Sequence, residues 1–156
     1  VQDQYEKTGI SDLINSEEGT IFVEMAALAN DSTNRYISIN DGSSSNRMIL
    51  KFGTSSNNIS ALGLGTATSF NMVNSGATIT TMNKIALKYK ANDCALWING
   101  VEVATDLTFT AYAAGTLNQI NLSNYAGTSQ FLDAKVKQLQ VFKTALTDTQ
   151  LAALTS

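Results

Sequence analysis

The stretch Ala95-Leu96-Trp97-Ile98-Asn99-Gly100-Val101-Glu102-Val103 decides the fold class. Leu96 and Ile98 share one parity, Ala95 and Trp97 the other, and Val101 and Val103 resume the apolar side beyond Asn99-Gly100. Alternation with period two marks a strand whose two faces meet different surroundings. Asn-Gly between two such runs supplies positive φ at both central positions of a two-residue turn, so residues 94–105 read as a β-hairpin.

Upstream of the hairpin, Ile85, Leu87 and Tyr89 alternate with Lys84, Lys88 and Lys90, which predicts a half-buried strand with a wet lysine face. Six further runs rich in β-branched and aromatic residues surround these: Thr20–Ala29, Asn34–Asn40, Arg47–Phe52, Asn58–Leu64, Leu117–Ser123 and Lys135–Phe142, with Cys94–Ile98 and Val101–Thr105 as the arms of the hairpin itself. Turn builders such as Asp41-Gly42-Ser43 and Ala91-Asn92-Asp93 separate them, while Ser43-Ser44-Ser45-Asn46 and Gly63–Ser69 read as loops. Short strands at this spacing predict an all-β, antiparallel two-sheet jelly-roll sandwich. Its expected core comprises Ile21, Val23, Ile37, Ile39, Ile85, Leu87, Leu96, Ile98, Val136, Leu139 and Val141.

Val136 has the opposite parity to Leu139 and Val141, so a β-bulge near Lys137-Gln138 is needed to turn all three inward. Beyond that strand, Thr147 as N-cap, Gln150 as its capping-box partner, and Leu146 with Leu151 as a hydrophobic staple predict a short C-terminal helix. Leu151 and Leu154 are expected to dock it on the sandwich.

The 156 residues fit one domain. Residues 1–18 are polar, apart from Ile10, Leu13 and Ile14, and read as a lead-in from a preceding region, with the domain at 19–156. The first residue is Val1, from which the chain is expected to be cut from a longer protein. Net charge is −3 and the lysines are scattered, which argues against a phosphate-tracking surface and hence against nucleic acid. No apolar run reaches the roughly 18–20 residues that span a bilayer, so no membrane insertion is expected. Charged residues make up only 15%, which suits short strands joined by polar turns. The chain has no histidine and one cysteine, Cys94, so Ser-His-Asp and Cys-His catalysis and an intrachain disulfide are excluded. Cys94 reads as a small packed residue.

Three stretches together resemble the laminin-G-like members of the concanavalin-A-like lectin/glucanase superfamily. They are Lys84–Tyr89, Ala95–Val103, and Val136 to Asp148, the last including Phe142-Lys143-Thr144-Ala145-Leu146-Thr147-Asp148. With Asp12-Leu13-Ile14 and Glu18-Gly19-Thr20-Ile21-Phe22-Val23-Glu24, the chain looks similar to modules of phage tail and fibre proteins and of Bacteroidetes surface proteins. The resemblance implies an extracellular place, on a virion or a cell surface. It also implies host surface glycans as partners, together with other virion or fibre subunits in an assembly that includes homo-oligomers such as trimers. Glucanases of this superfamily carry a Glu-x-Asp-x-x-Glu strand, because a retaining mechanism needs two carboxylates about 5–5.5 Å apart. No Glu-x-Asp occurs in this chain, so a non-catalytic module is expected.

The resemblance further implies a calcium ion at a sheet rim, for which Asp41, Asp31 and Asp93 are the carboxylate candidates, with Asn30, Asn40, Asn92 and Asp106 beside them. Turns use Asp and Asn for their own hydrogen bonds as well. For a glycan, Trp97 is the residue of most interest, because its parity opposite Leu96 and Ile98 puts the indole on the non-core face, where it would stack on a sugar. The alternative is an indole covered by a loop, by residues 1–18 or by a neighbouring subunit. Tyr36, Ser38 and Asn40 share one face of a strand, and Arg47 and Lys51 share one face of the next, so the five are expected to line one polar sheet surface. Two functions follow from these residues: carbohydrate binding and adhesion, or a purely structural role in oligomerisation or decoration of a fibre.

Overall fold

The computed structural model describes residues 5–65 and 69–156. Residues 1–4 of the expected lead-in and 66–68 of the loop expected at Gly63–Ser69 lie outside the described residues. Two antiparallel sheets face each other. The first runs in the spatial order β1 (Glu6–Lys7), β10 (Gln119–Asn121), β3 (Arg35–Asn40), β4 (Arg47–Phe52), β5 (Ile59–Leu64) and β6 (Phe70–Asn74). The second runs β11 (Ala134–Phe142), β2 (Glu18–Ala27), β7 (Asn83–Lys90), β8 (Cys94–Ile98) and β9 (Val101–Asp106), and α1 (Asp148–Thr155) closes the chain.

The inward faces of both sheets form one core, in which Ile37, Ile39, Met48, Leu50 and Phe52 meet Ile21, Val23, Ile85, Leu87 and Leu96. The hairpin turn is built as its sequence requires, with Asn99 at φ 50° and Gly100 at φ 84° between the paired Ile98 and Val101. Beyond the turn Trp97 pairs with Glu102 and Leu96 with Ala104, so Val103 is an extra, bulged residue. The bulge expected in β11 is present at Lys137, since Val136 pairs with Met25 and Gln138 with Glu24. It brings Leu139 and Val141 against the core. Val136 departs from the expected core set: it stays 41% exposed, because β11 is an edge strand with no neighbour on its far side.

Residues 5–17 are woven into the sandwich, which corrects their reading as part of a lead-in. Glu6–Lys7 forms the edge strand β1 against β10, and Ile10 and Ile14 sit in the main core. The Tyr89 hydroxyl donates to the carbonyl of Asn15 at 2.6 Å, passing Gly19 at a place where a Cβ would also lie 2.8 Å from the carbonyl oxygen of Phe142. Only glycine leaves room for that crossing. The other unanticipated strand, β6, buries Phe70 and Met72 while Asn71 and Val73 point out, an alternation too short to stand clear of the polar residues around it.

The helix begins as its sequence predicts. The Thr147 hydroxyl accepts from the backbone N–H of Gln150, and the Gln150 side chain accepts from the backbone N–H of Thr147. It lies on the outer face of the second sheet, where Leu151 joins Phe22, Ala86, Ala95 and Trp97 in a second apolar cluster. This docking corrects the wet lysine face expected of β7 at Lys88, while Lys90 stays exposed. Lys88 is buried, with its ammonium 2.7 Å from Asp93 and 3.2 Å from Asp148 of the helix. Lys84 donates to the carbonyl of Ser156. Among the described residues, no helix is long and apolar enough to cross a membrane.

Candidate functional site

Pairing of β10, β3, β4 and β5 sets out a polar surface on the side of the first sheet away from the core. Asn40 lies opposite Arg47, Ser38 opposite Ile49 and Tyr36 opposite Lys51. On the other flank Gln119 pairs with Asn40 and Asn121 with Ser38. Strand alternation therefore carries Tyr36, Ser38, Asn40, Arg47 and Lys51 to one face, as their parity predicts.

The floor of this face is a closed amide network. Asn40 Nδ2 donates to Ser38 Oγ and to Asn121 Oδ1, each at 3.0 Å, and Gln119 Nε2 donates to the same Asn121 oxygen at 3.1 Å. Asn121 Nδ2 in turn donates to Glu6 Oε2 at 3.1 Å, which ties in β1. Ser38 and Asn40 are fully buried, so they support the surface from beneath and offer no atom to a ligand.

The accessible groups stand at two corners. The Arg47 guanidinium lies 5.2 Å from the ring centroid of Tyr125, and the Lys51 ammonium 5.4 Å from that of Tyr36. Both are within cation–π range. Arg47 Nε is buried without a hydrogen-bond partner, and burial pulls the Lys51 ammonium below the ordinary lysine range. Among the described residues neither cation is paired with a carboxylate. Partly desolvated cations without counter-charges are poised to accept an anion, since Coulomb attraction grows as water is excluded.

Tyr125, Gln119, Asn121 and Glu6 were not among the residues singled out from the sequence. Gln119 and Asn121 flank Ile120 in a run already read as a strand, so the same alternation points to them. Tyr125 sits in a loop, where no periodicity gives a side-chain direction.

Trp97 is elsewhere. Its parity is as expected, on the non-core face of β8, but α1 covers that face and leaves the side chain 8% exposed with Nε1 unpartnered. The expectation of an exposed sugar platform is corrected accordingly. The cover comes from the C-terminal helix, with Leu146 of the connection before it packed in the same cluster.

The three carboxylates named for calcium do not converge. Asp31 holds Arg35 through two contacts of 2.9 Å, Asp41 closes its own turn by accepting from Ser43 N and Asn46 Nδ2 at 2.8 Å, and Asp93 faces Lys88. Among the described residues no three Asp, Glu, Cys or His side chains come close enough to share a metal ion, so the three carboxylates do not act together on one calcium. Cys94 is buried, with its thiol pushed up to about 12 by desolvation, which suits a packed residue and not a nucleophile.

A family model described as the concanavalin A-like lectin/glucanases superfamily, of laminin-G type, matches residues 2–152. No curated protein sequence matches the chain. Among solved structures, the sialidase module CBM40 of Ruminococcus gnavus, bound to α2,3-sialyllactose, superposes with a TM-score of 0.72 at 15% identity, covering 100% of this chain and 95% of that one. The leech intramolecular trans-sialidase gives 0.77 at 17% identity over 99% of this chain, which spans 26% of the enzyme. Domain 4 of the Geobacillus stearothermophilus arabinanase AbnA, in complex with arabinotriose, gives 0.65 at 13% identity, covering 94% of this chain and 69% of that one. At such identities the likeness concerns the fold. With the family model spanning nearly all of the sandwich, the chain belongs to the concanavalin A-like lectin/glucanase superfamily.

Proposed function

We propose that this domain is a non-catalytic carbohydrate-binding module whose first sheet presents Tyr36, Lys51, Arg47 and Tyr125 to an acidic sugar of a host surface glycan. The observation that carries this reading is the pair of partly buried cations, each stacked on a tyrosine and neither matched by a carboxylate. A sugar carboxylate would supply the missing charge, and the tyrosine rings would meet the apolar face of the pyranose. The buried amides beneath hold the strands in register, so the corners are set before any ligand arrives. Similar folds in sialidase and arabinanase structures carry sialyllactose and arabinotriose, which is in keeping with this use. A place on the outside of a virion or a cell suits such a module.

A glycan array containing sialylated, uronic-acid and neutral oligosaccharides tests the proposal. Retention of acidic glycans that weakens as salt rises is the expected result. Equal retention of neutral and acidic glycans, or no retention at all, would refute it.

The structural alternative, assembly with other fibre subunits, has one observation in its favour. Ile10, Leu13, Ile14, Ile120 and Val141 line an apolar cleft, and Leu13 is 59% exposed beside it. Sedimentation of the isolated domain distinguishes the two, since an assembly module would form oligomers at micromolar concentration.

A further inference from the structure

A second cleft opens where the β2–β3, β4–β5 and β10–β11 connections meet. It has a volume of about 420 Å³ and is lined by Asn34, Arg35, Thr54, Gln130, Phe131 and Asp133, among others. None of the four accessible residues of the sheet face lines it. The volume lies within the range of small-molecule sites, roughly 300–1,000 Å³.

Among the described residues four buried side-chain polar atoms lack a hydrogen-bond partner, and two of them, Asn34 Oδ1 and Arg35 Nε, belong to neighbouring residues in the wall of this cleft. Arg35 is an unusual residue to leave incomplete, because its side chain is only 4% exposed. Asp31 accepts from both terminal nitrogens, Nη1 and Nη2, at 2.9 Å, and the carbonyl of Thr33 accepts a further bond from Nη1, which leaves Nε as the spare donor. A buried polar group without a partner is destabilising, so the open donor of Arg35 and the open acceptor of Asn34 each favour a ligand that satisfies them. The hydroxyls of a sugar, each both donor and acceptor, supply such partners.

The charges of the cleft select among sugars. Asp31 neutralises Arg35, while Asp133 has no cationic partner among the described residues, so a carboxylate ligand would be repelled. Phe131 adds an aromatic ring for the apolar face of a pyranose, and Thr54 and Gln130 add hydrogen-bonding side chains. We propose that this loop cleft is a second saccharide site, specific for a neutral pyranose, on a module whose sheet face takes an acidic one. The two sites would let one domain engage two residues of a branched glycan, or two chains, with the gain that linked binding events bring.

NMR titration of the whole domain tests this, with methyl glycosides of galactose, glucose and mannose, and with N-acetylglucosamine, as probes. Saturable shifts of the Asn34 side-chain amide and the Arg35 Nε–H are expected with at least one probe, at a dissociation constant of about 1 mM. Phe131→Ala should weaken that binding by about tenfold, and Thr54→Val, a milder change, should weaken it less, both in variants whose amide spectra confirm the fold. Lys51→Ala should leave it unchanged. No shift at Asn34 and Arg35 with any probe would overturn the proposal, as would binding indifferent to Phe131→Ala. Loss of the shifts in Lys51→Ala would also overturn it, by assigning them to the sheet face. Failure here leaves acidic-sugar binding at Lys51 and Arg47 a separate question.

Discussion

Leu151 of the C-terminal helix and Trp97 of strand β8 share a buried apolar cluster on the outside of the sandwich, separate from the core between the sheets. The domain is thus three layers deep along this strip, and the third layer is a helix of eight residues. A helix that short is unstable alone, so its order depends on the face it covers.

Leu151→Ala should therefore cost about 2–4 kcal/mol, as for a fully buried leucine, and should shift Trp97 fluorescence to the red as water reaches the indole. Urea melts followed by fluorescence and by circular dichroism measure both. An unchanged midpoint would mean that the helix adds nothing to stability.

Thr147→Ala removes the hydroxyl that accepts from the Gln150 N–H and should cost about 1 kcal/mol in the same melts. Thr147→Asn, which restores a capping oxygen, should recover most of that loss.

Acid should weaken the loop that carries Arg35. The hydrogen bonds from Arg35 hold the Asp31 carboxyl well below the usual aspartate range. A carboxyl depressed in the folded state contributes stability that is complete above its unfolded pKa of about 3.9 and is lost as pH falls through the lower folded value. Urea midpoints measured from neutral pH downward should thus fall less steeply below about pH 4 in Asp31→Asn than in the parent. Parallel slopes would show that the ion pair contributes nothing in solution.

Lys51→Ala should weaken binding of 3′-sialyllactose by about tenfold or more, which corresponds to about 1.4 kcal/mol, while moving the urea midpoint little. Isothermal titration at two salt concentrations reads the effect. The parent's affinity should drop with salt and the variant's should drop less, because one of the two stacked cations is gone.

Much of this molecule can be read without its coordinates. Alternation around Asn99-Gly100 fixed a hairpin, the mismatch between Val136 and Leu139 required a bulge, and Thr147 with Gln150 announced a helix start, because each signal is local and depends on backbone geometry alone. The same alternation put Tyr36, Arg47 and Lys51 on one surface. Sequence could not say what lies over a face. Trp97 and Lys88 have the parity of outward residues, and they are buried because α1, some fifty residues further along, returns to that side of the second sheet. Ile10 and Ile14 looked like stray apolar residues in a polar lead-in until chain packing placed them in the core. Tyr125 meets Arg47, and Asn34 and Arg35 line a cleft with Phe131, only through loops whose paths depend on long-range packing. Period and turn chemistry determined the strands; which surfaces stayed open to a ligand was decided by tertiary contacts between distant segments.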